Sequence, residues 1–509
     1  MRPRFPSRSS HPLPIRRSPR DWLLPLAAAI ALAACGGGGA GGGAFAPIVL
    51  PPAAGGGSDL DNPPPATNQG KSGPKALVVT IDGLTHAALR DAIAEGKAPA
   101  LQGLTLAPAW TGGANGTPTE QRTTGHPGWA TLVTGTWVQR HAVRWDTPDQ
   151  RIDATLAPSV FAFAKQKADA AYLTAAVASD ASYAALLAGE RGTLDTSVDC
   201  AGADACVTAR TGQLIDEGYD LLVAQYGAPA AAAADGLRSE GYRRAVSATA
   251  AAVGELLARI ARRSTNDANE DWLVLLTTGH GLDAFGAATG VQALGEKTIF
   301  VASNKALAAL PAAGEAAPAD FGALARLAAA TDIAPTVLHH LGVPFDDGAY
   351  RFNGQALQAA TALRSLTAKA GPDRNSIQLS WTLSGDADAP VQVLRDGRLV
   401  ATLAAGATAY TDPIEADSDG LYSFDYTVVA GKARLALQAR IAYVKPVTLA
   451  PTLRNGLANY YPFDGLPATD LRGASTLAPW AADADGASLV DDGFEAPHQG
   501  KALRVDSSV

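Results

Sequence analysis

The stretch that decides the fold is TPTEQRTTGHPGWATLVTGTWVQRH, residues Thr117–His141. Two hydroxyl side chains, Thr123 and Thr124, precede a Gly-His-Pro-Gly turn, and the residues from Trp129 onward predict the first turns of a helix. The free amides and the dipole at a helix N-terminus favour an anion. A Thr hydroxyl at this point is therefore suited to lie beside a phosphate or sulfate group. The alternative interpretation is an ordinary Gly/Pro-rich loop.

Around this stretch, apolar runs alternate with amphipathic ones. Buried strands are predicted at Ala76–Ile81, Tyr219–Tyr226, Trp272–Thr277 and Thr298–Ser303. Helices are predicted at Thr85–Glu95, Ser239–Arg263 and Thr331–Leu341, the last with Thr331 as its N-cap. This alternation predicts an α/β domain over residues 74–366, with a mainly parallel sheet and helices on both faces. Ligands of such sheets bind at the carboxyl ends of the strands.

The N-terminal region has the composition of an export signal. An arginine-rich segment precedes the apolar run Trp22–Ala34, which is too short to span a membrane. The run ends in Leu-Ala-Ala-Cys, which resembles a bacterial lipoprotein box with Cys35 as the lipidated residue. We therefore predict a signal peptide over 1–34, a Gly/Pro-rich tether over 35–73 and a lipid-anchored protein of the bacterial cell envelope. An ordinary secretory signal is the alternative.

Charge, hydropathy and cysteine content exclude some classes of protein and predict a disulfide. The 509-residue chain has a formal net charge of −8, which argues against a nucleic-acid partner. The body contains no run of 18 apolar residues, so no internal membrane span is expected. Cys200 and Cys206 remain after Cys35, and in an oxidising compartment such a pair predicts a disulfide, with two free buried thiols as the alternative.

The C-terminal third changes to a two-residue period. Apolar residues alternate in SIQLSW and in YSFDYTVVA, and Asp396-Gly397 between alternating runs predicts a hairpin. Residues 371–445 resemble a fibronectin type III-like domain. Residues 454–509, with GLANYYPFDG and GKALRVD, resemble the start of a LamG-like, concanavalin-type jelly roll. Modules of this kind suggest a glycan or a protein as ligand.

Four segments of the α/β region carry a family resemblance. They are VVTIDGL (78–84), PGWATLVTG (127–135) with His141 after it, DWLVLLTTGHG (271–281) and TDIAPTVLHHLG (331–342). In this order they resemble the alkaline phosphatase superfamily, in the branch of type I phosphodiesterases, nucleotide pyrophosphatases and sulfatase-like proteins. The resemblance implies two-metal ester hydrolysis, in which divalent cations clamp the ester and a Thr or Ser oxygen attacks in line.

Three positions match the family's site. Asp82 corresponds to a metal-binding carboxylate, although a strand-end Asp that caps the following helix is the alternative. His280 corresponds to the His of the family's Asp-His-Gly triplet, whose Asp is Gly279 here. In register, Gly125 stands at the nucleophile position; a one-residue insertion at His126 makes Thr124 the nucleophile, with Thr123 as the second candidate.

Other family ligands have no counterpart. The segment Pro229–Ala234 contains Pro and Ala where an Asp ligand is expected. Asp235, which follows it, is interpreted as a loop residue. The loop LDAFGAATG (282–290) lacks the His ligand that is expected there. His141 is expected to order the loop after the nucleophile helix. Losing ligands lowers metal affinity steeply, so we expect one zinc-like divalent cation at most, or none. The favoured hypothesis is a surface-displayed binding or scaffold pseudoenzyme; the alternative is a metal-dependent hydrolase of phosphate or sulfate esters with Thr124 as nucleophile.

Overall fold

The computed structural model describes residues 72–166, 172–190, 192–310, 317–345, 352–359, 362–385, 388–431 and 433–446, together with four short strand segments between 468 and 505. These residues all belong to one compact unit, Asn62–Val509. The predicted signal peptide, the lipidation site at Cys35 and the tether up to residue 71 lie outside the described residues.

The described residues of the α/β region form eight strands and eleven α-helices. In chain order they are β1 Pro74–Ile81, α1 His86–Ala94, β2 Thr105–Trp110, α2 Gly125–Thr134, α3 Val138–His141, α4 Val160–Gln166, β3 Thr174–Ala178, α5 Ala181–Ala185, β4 Thr196–Asp199, α6 Asp204–Asp216, β5 Leu221–Tyr226, α7 Ala228–Ala233, α8 Glu240–Asn266, β6 Asp271–Thr277, α9 Leu294–Lys297, β7 Thr298–Ser303, α10 Phe321–Leu324, β8 Ala328–Ala329 and α11 Ile333–His340.

The eight strands form one sheet in the order β4-β3-β5-β1-β6-β7-β2-β8. Strand β1 pairs in parallel with β5 and β6, and β7 runs antiparallel to both of its neighbours. Alternate side chains of β1 enter two separate cores. Val78 packs in a core with Trp129 of α2, whereas Leu77 and Val79 pack in a core with Val253 of α8. The predicted α/β class, with helices on both faces of a mainly parallel sheet, is confirmed.

Several boundaries differ from the predictions for local reasons. Helix α2 begins at Gly125 rather than near Trp129, because a first helical turn leaves amides unpaired and so accommodates Pro127. Strands β2, β3 and β4 were not predicted. Pro108 interrupts the pattern of β2, and the alanine-rich sequence of β3 favours a helix in isolation.

The N-cap predicted for α11 is wrong. A 3-10 turn, Ala330–Asp332, precedes the helix, and the Thr331 hydroxyl finds no hydrogen-bond partner among the described residues. The Asp332 carboxylate instead accepts from the amides of Ala329 and Gln355, at 2.9 and 2.8 Å. Asp332, rather than Thr331, therefore fixes the backbone at the start of α11.

Two antiparallel sheets follow. Their strands are β9 Ala362–Ala370, β10 Ser376–Ser384, β11 Val391–Arg395, β12 Arg398–Leu403, β13 Ala409–Pro413, β14 Gly420–Ala430 and β15 Ala433–Tyr443. They are ordered β13-β10-β9 and β12-β11-β14-β15, and β9 starts before the boundary predicted at residue 371. The predicted hairpin is confirmed: Asp396 and Gly397 join β11 to β12 with φ of 51° and 79°. The finer resemblance to fibronectin type III stays a prediction.

Polar contacts join this β module to the α/β region. Arg140 pairs with Asp425 at 3.0 Å, and the Asn353 side chain donates to the carbonyl oxygen of Ala436 at 2.9 Å. The side chain of Gln355 both donates to and accepts from the backbone of Leu363, at 2.7 and 3.2 Å. Side chains that satisfy backbone groups in this way fix the position of the first strand of the module.

The predicted disulfide between Cys200 and Cys206 is present, with the two Cα atoms 5.6 Å apart. Past residue 446 the described residues form β16 Ala468–Thr469, β17 Thr476–Leu477, β18 Ala487–Asp491 and β19 Lys501–Val505. The rest of the predicted jelly roll lies outside the described residues. Within the described part of the chain, no helix is both long and apolar enough to cross a membrane.

Candidate functional site

The candidate site lies at the carboxyl ends of three adjacent strands. Asp82 follows β1, Gln225 is the penultimate residue of β5, and His280 lies three residues after β6. Since β1 is hydrogen-bonded to both other strands in parallel register, these side chains emerge at one edge of the sheet. Asp82 and His280, the two metal-ligand positions that the resemblance implies, therefore lie at the same edge of the sheet.

The Asp82 carboxyl group is buried and hydrogen-bonded by two side chains. One of its oxygens accepts from the Tyr183 hydroxyl and, at 3.1 Å, from Nε2 of Gln225. Burial raises the pKa of Asp82, and the nearby His280, Tyr183 and Gln225 offset that shift in part. The alternative role as a helix cap is wrong, because the hydroxyl of Thr85 accepts from the amide of Ala88 at the start of α1.

A tyrosine occupies the place from which a nucleophile at position 125 would act. A Cβ added to Gly125 would lie 2.4 Å from the hydroxyl oxygen of Tyr183. The Tyr183 ring is held against His126 and Trp129, with ring centroids 5.3 and 5.7 Å apart. The hydroxyl beside Asp82 is thus contributed by α5. Sequence reasoning missed Tyr183, which is remote from Asp82 in the chain and belongs to no motif.

The two threonines differ in their partners. Thr124 is the N-cap residue of α2, and its buried hydroxyl finds no hydrogen-bond partner among the described residues. Thr123 donates to the buried carboxylate of Glu296 at 2.8 Å. Burial alone would raise the pKa of Glu296, but hydrogen bonds from Thr289 and Thr123 outweigh it, and the pKa lies below its usual range. Thr123 is therefore engaged in a network of its own.

A carboxylate of the chain itself lies at the start of α2. Oδ1 of Asp146 accepts from the amide of His126 at 2.6 Å and would lie 3.7 Å from a Cβ at Gly125. One of the amides expected to bind an anion, that of His126, therefore already binds a carboxylate of the protein. A phosphate or sulfate at this point would meet the negative charge of Asp146.

The alanine-rich segment after β5 forms helix α7, which lies directly on the end of β1. A Cβ on Gly83 would come 2.3 Å from Cα of Ala230. The amides that begin α7, those of Gly227 and Ala228, donate to the carboxylate of Asp204 at 3.0 and 2.9 Å. Asp235 is exposed beyond the end of this helix. Close backbone packing thus replaces the ligand-bearing segment of the family.

The donor set is small for a metal centre. Among the described residues, no group of three or more His, Cys, Asp and Glu side chains could hold a metal ion. His280 donates from Nδ1 to the carbonyl oxygen of Gly281 at 2.8 Å, which leaves Nε2 as its possible ligand atom. A Cβ at Gly279 would lie 3.1 Å from the backbone of Gly128 and Trp129, so an Asp there needs a small backbone shift.

His141 is hydrogen-bonded to segments before, within and after helix α2. Its Nδ1 accepts from the amide of Val143 at 3.1 Å, and its Nε2 lies 3.1 Å from Oε1 of Gln121 and 3.2 Å from the hydroxyl of Thr131. The ring therefore connects α2 to the segment that follows α3, which agrees with the ordering role expected for it.

Neither a protein-family model nor a curated protein matches the sequence. Solved structures do show likeness. Ps i-CgsB is 13% identical over 62% of this chain and 86% of its own, with a TM-score of 0.38. Murine ectonucleotide pyrophosphatase/phosphodiesterase 5 is 14% identical over 41% of this chain and 57% of its own (TM-score 0.30). A TAB5 alkaline phosphatase variant with bound Mg is 12% identical over 54% of this chain and 100% of its own (TM-score 0.35).

These neighbours are members of the alkaline phosphatase superfamily. The likeness concerns the arrangement of sheet and helices. What the chain binds or converts is therefore argued from its own side chains.

Proposed function

We propose that this chain is a binding or scaffold protein built on an alkaline phosphatase-like fold, in which the metal-dependent ester-hydrolysis centre has been replaced by a hydrogen-bonded pair, Tyr183 and Asp82. The observation that supports this most directly is the position of the Tyr183 hydroxyl, 2.4 Å from where Cβ of a residue 125 side chain would be. A nucleophile attached at position 125 and the tyrosine hydroxyl exclude each other.

Electrostatics support the same proposal. Two-metal hydrolysis requires cations that neutralise the charge on the ester and on the attacking oxygen. One oxygen of Asp82, the position that the resemblance assigns to a metal ligand, already accepts hydrogen bonds from Tyr183 and Gln225. The carboxylate of Asp146 adds a negative charge where the anionic ester would lie. Without cations the site disfavours a phosphate or sulfate ester.

The proposed setting is the bacterial cell envelope. The Leu-Ala-Ala-Cys sequence ending at Cys35 supports a lipid anchor, and the glycine- and proline-rich residues up to 73 support a tether. The two-sheet module at 362–446 supports a role in contacting a glycan or a protein. In this proposal the α/β domain is a scaffold that carries the module away from the membrane.

The full chain should be loaded with Zn²⁺ or Mn²⁺, desalted, and assayed for bound metal and for hydrolysis of p-nitrophenyl phosphate, its diester and its sulfate. We expect substoichiometric metal and rates equal to those of buffer. Stoichiometric metal together with turnover that Asp82→Asn abolishes would overturn the proposal.

One observation favours the hydrolase alternative: the hydroxyl of Thr124, the residue before α2, is buried and has no hydrogen-bond partner among the described residues. The matched pair Thr124→Ala and Thr155→Ala separates the two functions, since Thr155 is exposed. A hydrolase would lose turnover with the first substitution and keep it with the second. A binding protein shows the same background rate for both.

A further inference from the structure

A second hydroxyl on α5, one residue before Tyr183, is paired with an imidazole. The hydroxyl of Ser182, on α5, lies 2.6 Å from Nε2 of His126, on α2. Ser182 is half-buried, so solvent reaches it, whereas His126 is 6% exposed. A hydroxyl within hydrogen-bond reach of a buried imidazole is the arrangement in which serine becomes a nucleophile.

The imidazole is fixed from two sides. The ring of Tyr183 meets it edge to face, with an interplanar angle of 83°, and its own backbone amide is bound by Asp146. Its Nδ1 is buried and has no hydrogen-bond partner among the described residues. With the proton on Nδ1, Nε2 accepts from the Ser182 hydroxyl, which is the tautomer that a general base needs.

We propose that Ser182 is a nucleophile toward uncharged carboxylic esters, with His126 as its general base. Oγ of Ser182 transfers its proton to Nε2 of His126 and forms a bond to the ester carbonyl carbon. The bond from that carbon to the alkoxy oxygen then breaks, and the alcohol leaves with the proton from Nε2. A water molecule repeats the sequence on the acyl-enzyme: its proton passes to Nε2 and its oxygen bonds to the carbonyl carbon. The bond from that carbon to Oγ then breaks, and Oγ of Ser182 takes the proton back from Nε2 as the carboxylic acid leaves.

The surroundings select the substrate class. The Asp146 carboxylate, which binds the backbone amide of His126, opposes anions beside this pair, so phosphate and sulfate esters are disfavoured relative to an uncharged acyl ester. Trp145, which precedes Asp146 in the chain, presents an aromatic side chain that is 52% exposed. The guanidinium of Arg122 lies 5.1 Å from the centre of that ring and orients it.

This inference goes beyond the binding role and uses different atoms. Metal binding and phosphate-ester turnover test the Asp82 centre, whereas acylation tests Ser182. Failure of one test therefore leaves the other proposal standing.

The experiment treats the full chain with a fluorophosphonate probe and with p-nitrophenyl acetate, and locates the adduct by peptide mass spectrometry. We expect one adduct on Ser182, its absence in Ser182→Ala, and a loss of labelling rate of about 100-fold or more in His126→Gln. Ser423→Ala, which changes an exposed serine of β14, is the matched control and should label as the unaltered chain does.

Thermal unfolding followed by circular dichroism shows that each variant is folded. Because Ser182→Ala removes the hydrogen bond to the buried His126, this variant should unfold at a lower temperature than the unaltered chain but still in one cooperative transition. An unlabelled but folded wild-type chain would overturn the proposal. So would an adduct that persists in Ser182→Ala, or labelling that His126→Gln does not slow.

Discussion

His141 should make the stability of the protein fall as the pH is lowered below neutrality. Its ring is fully buried, its Nδ1 accepts from the amide of Val143, and the carbonyl oxygen of the Gln121 side chain takes the hydrogen of Nε2. Protonation of Nδ1 would make it a hydrogen-bond donor that faces a second donor, the amide of Val143. Burial and the positive charge of Arg144 lower the pKa of His141 to about 3.

The magnitude follows from proton linkage. An unfolded histidine has a pKa of about 6.5, so between pH 6.5 and 3 the unfolded chain binds more protons than the folded one. Because the pKa of His141 is lower in the folded chain than in the unfolded chain, its contribution to the free energy of unfolding is complete above pH 6.5. That contribution is lost as the pH falls toward 3. The difference of about 3.5 pKa units corresponds to about 5 kcal/mol in all, of which about 2 kcal/mol is lost by pH 5.

The assay is urea unfolding by tryptophan fluorescence at pH 7 and pH 5, at constant ionic strength, for wild type and His141→Gln. The substitution lowers the free energy of unfolding at pH 7, and the gap between the two proteins should shrink by about 2 kcal/mol at pH 5. His339→Gln, which changes an exposed imidazole on α11, is the control and should follow wild type at both pH values. A gap that stays constant between pH 7 and pH 5 would refute the linkage.

Three further outcomes are expected. Gly83→Ala should lower the free energy of unfolding by about 2–4 kcal/mol, because the added Cβ meets the backbone of α7 and the φ of Gly83 is 75°. The control is Gly96→Ala, where φ is 69° and the space is open; it should lower the free energy of unfolding by about 1 kcal/mol in the same urea titration. Replacing Cys200 and Cys206 by serine should cost about 2 kcal/mol, because the closed loop is short, and reductant should then no longer shift the midpoint. Cys35→Ala should move the protein from the membrane fraction to the soluble fraction and abolish labelling by a palmitate analogue; retention in the membrane would contradict the proposed anchor.

The parts of the fold that the sequence predicted are those with a strong local pattern. Strands β1, β5 and β6 are continuous apolar runs because both of their faces are buried. Asp82 and His280 were identified by the family resemblance, and the parallel pairing of β1 with β6 puts them at one edge of the sheet. Strand β3 was missed because its alanines gain strand structure from neighbours on both sides rather than from intrinsic preference.

The contents of the site could not be predicted in the same way. Tyr183 reaches Asp82 across 101 residues of sequence, and Asp146 reaches the start of α2 from a loop without regular structure. Each contact depends on where an element of tertiary structure places one side chain, and no period or spacing encodes it. A glycine at the nucleophile position is visible in the sequence, but the group that fills the resulting space is not.

In the proposed function, Gly125 and the Tyr183 hydroxyl depend on each other, so a nucleophile cannot be introduced at position 125 without moving the tyrosine. A serine at position 125 would force the Tyr183 hydroxyl away from Asp82 and leave the buried carboxyl group with Gln225 as its remaining side-chain donor, which costs about 1–3 kcal/mol beyond the steric conflict. Removing the hydroxyl alone leaves a glycine that supplies no nucleophile. The two single changes each lose stability without gaining chemistry, so their energies should be strongly non-additive in a double-mutant cycle. Such coupling would show that the tyrosine has become part of the folded core at the point where the attacking oxygen of a hydrolase would stand.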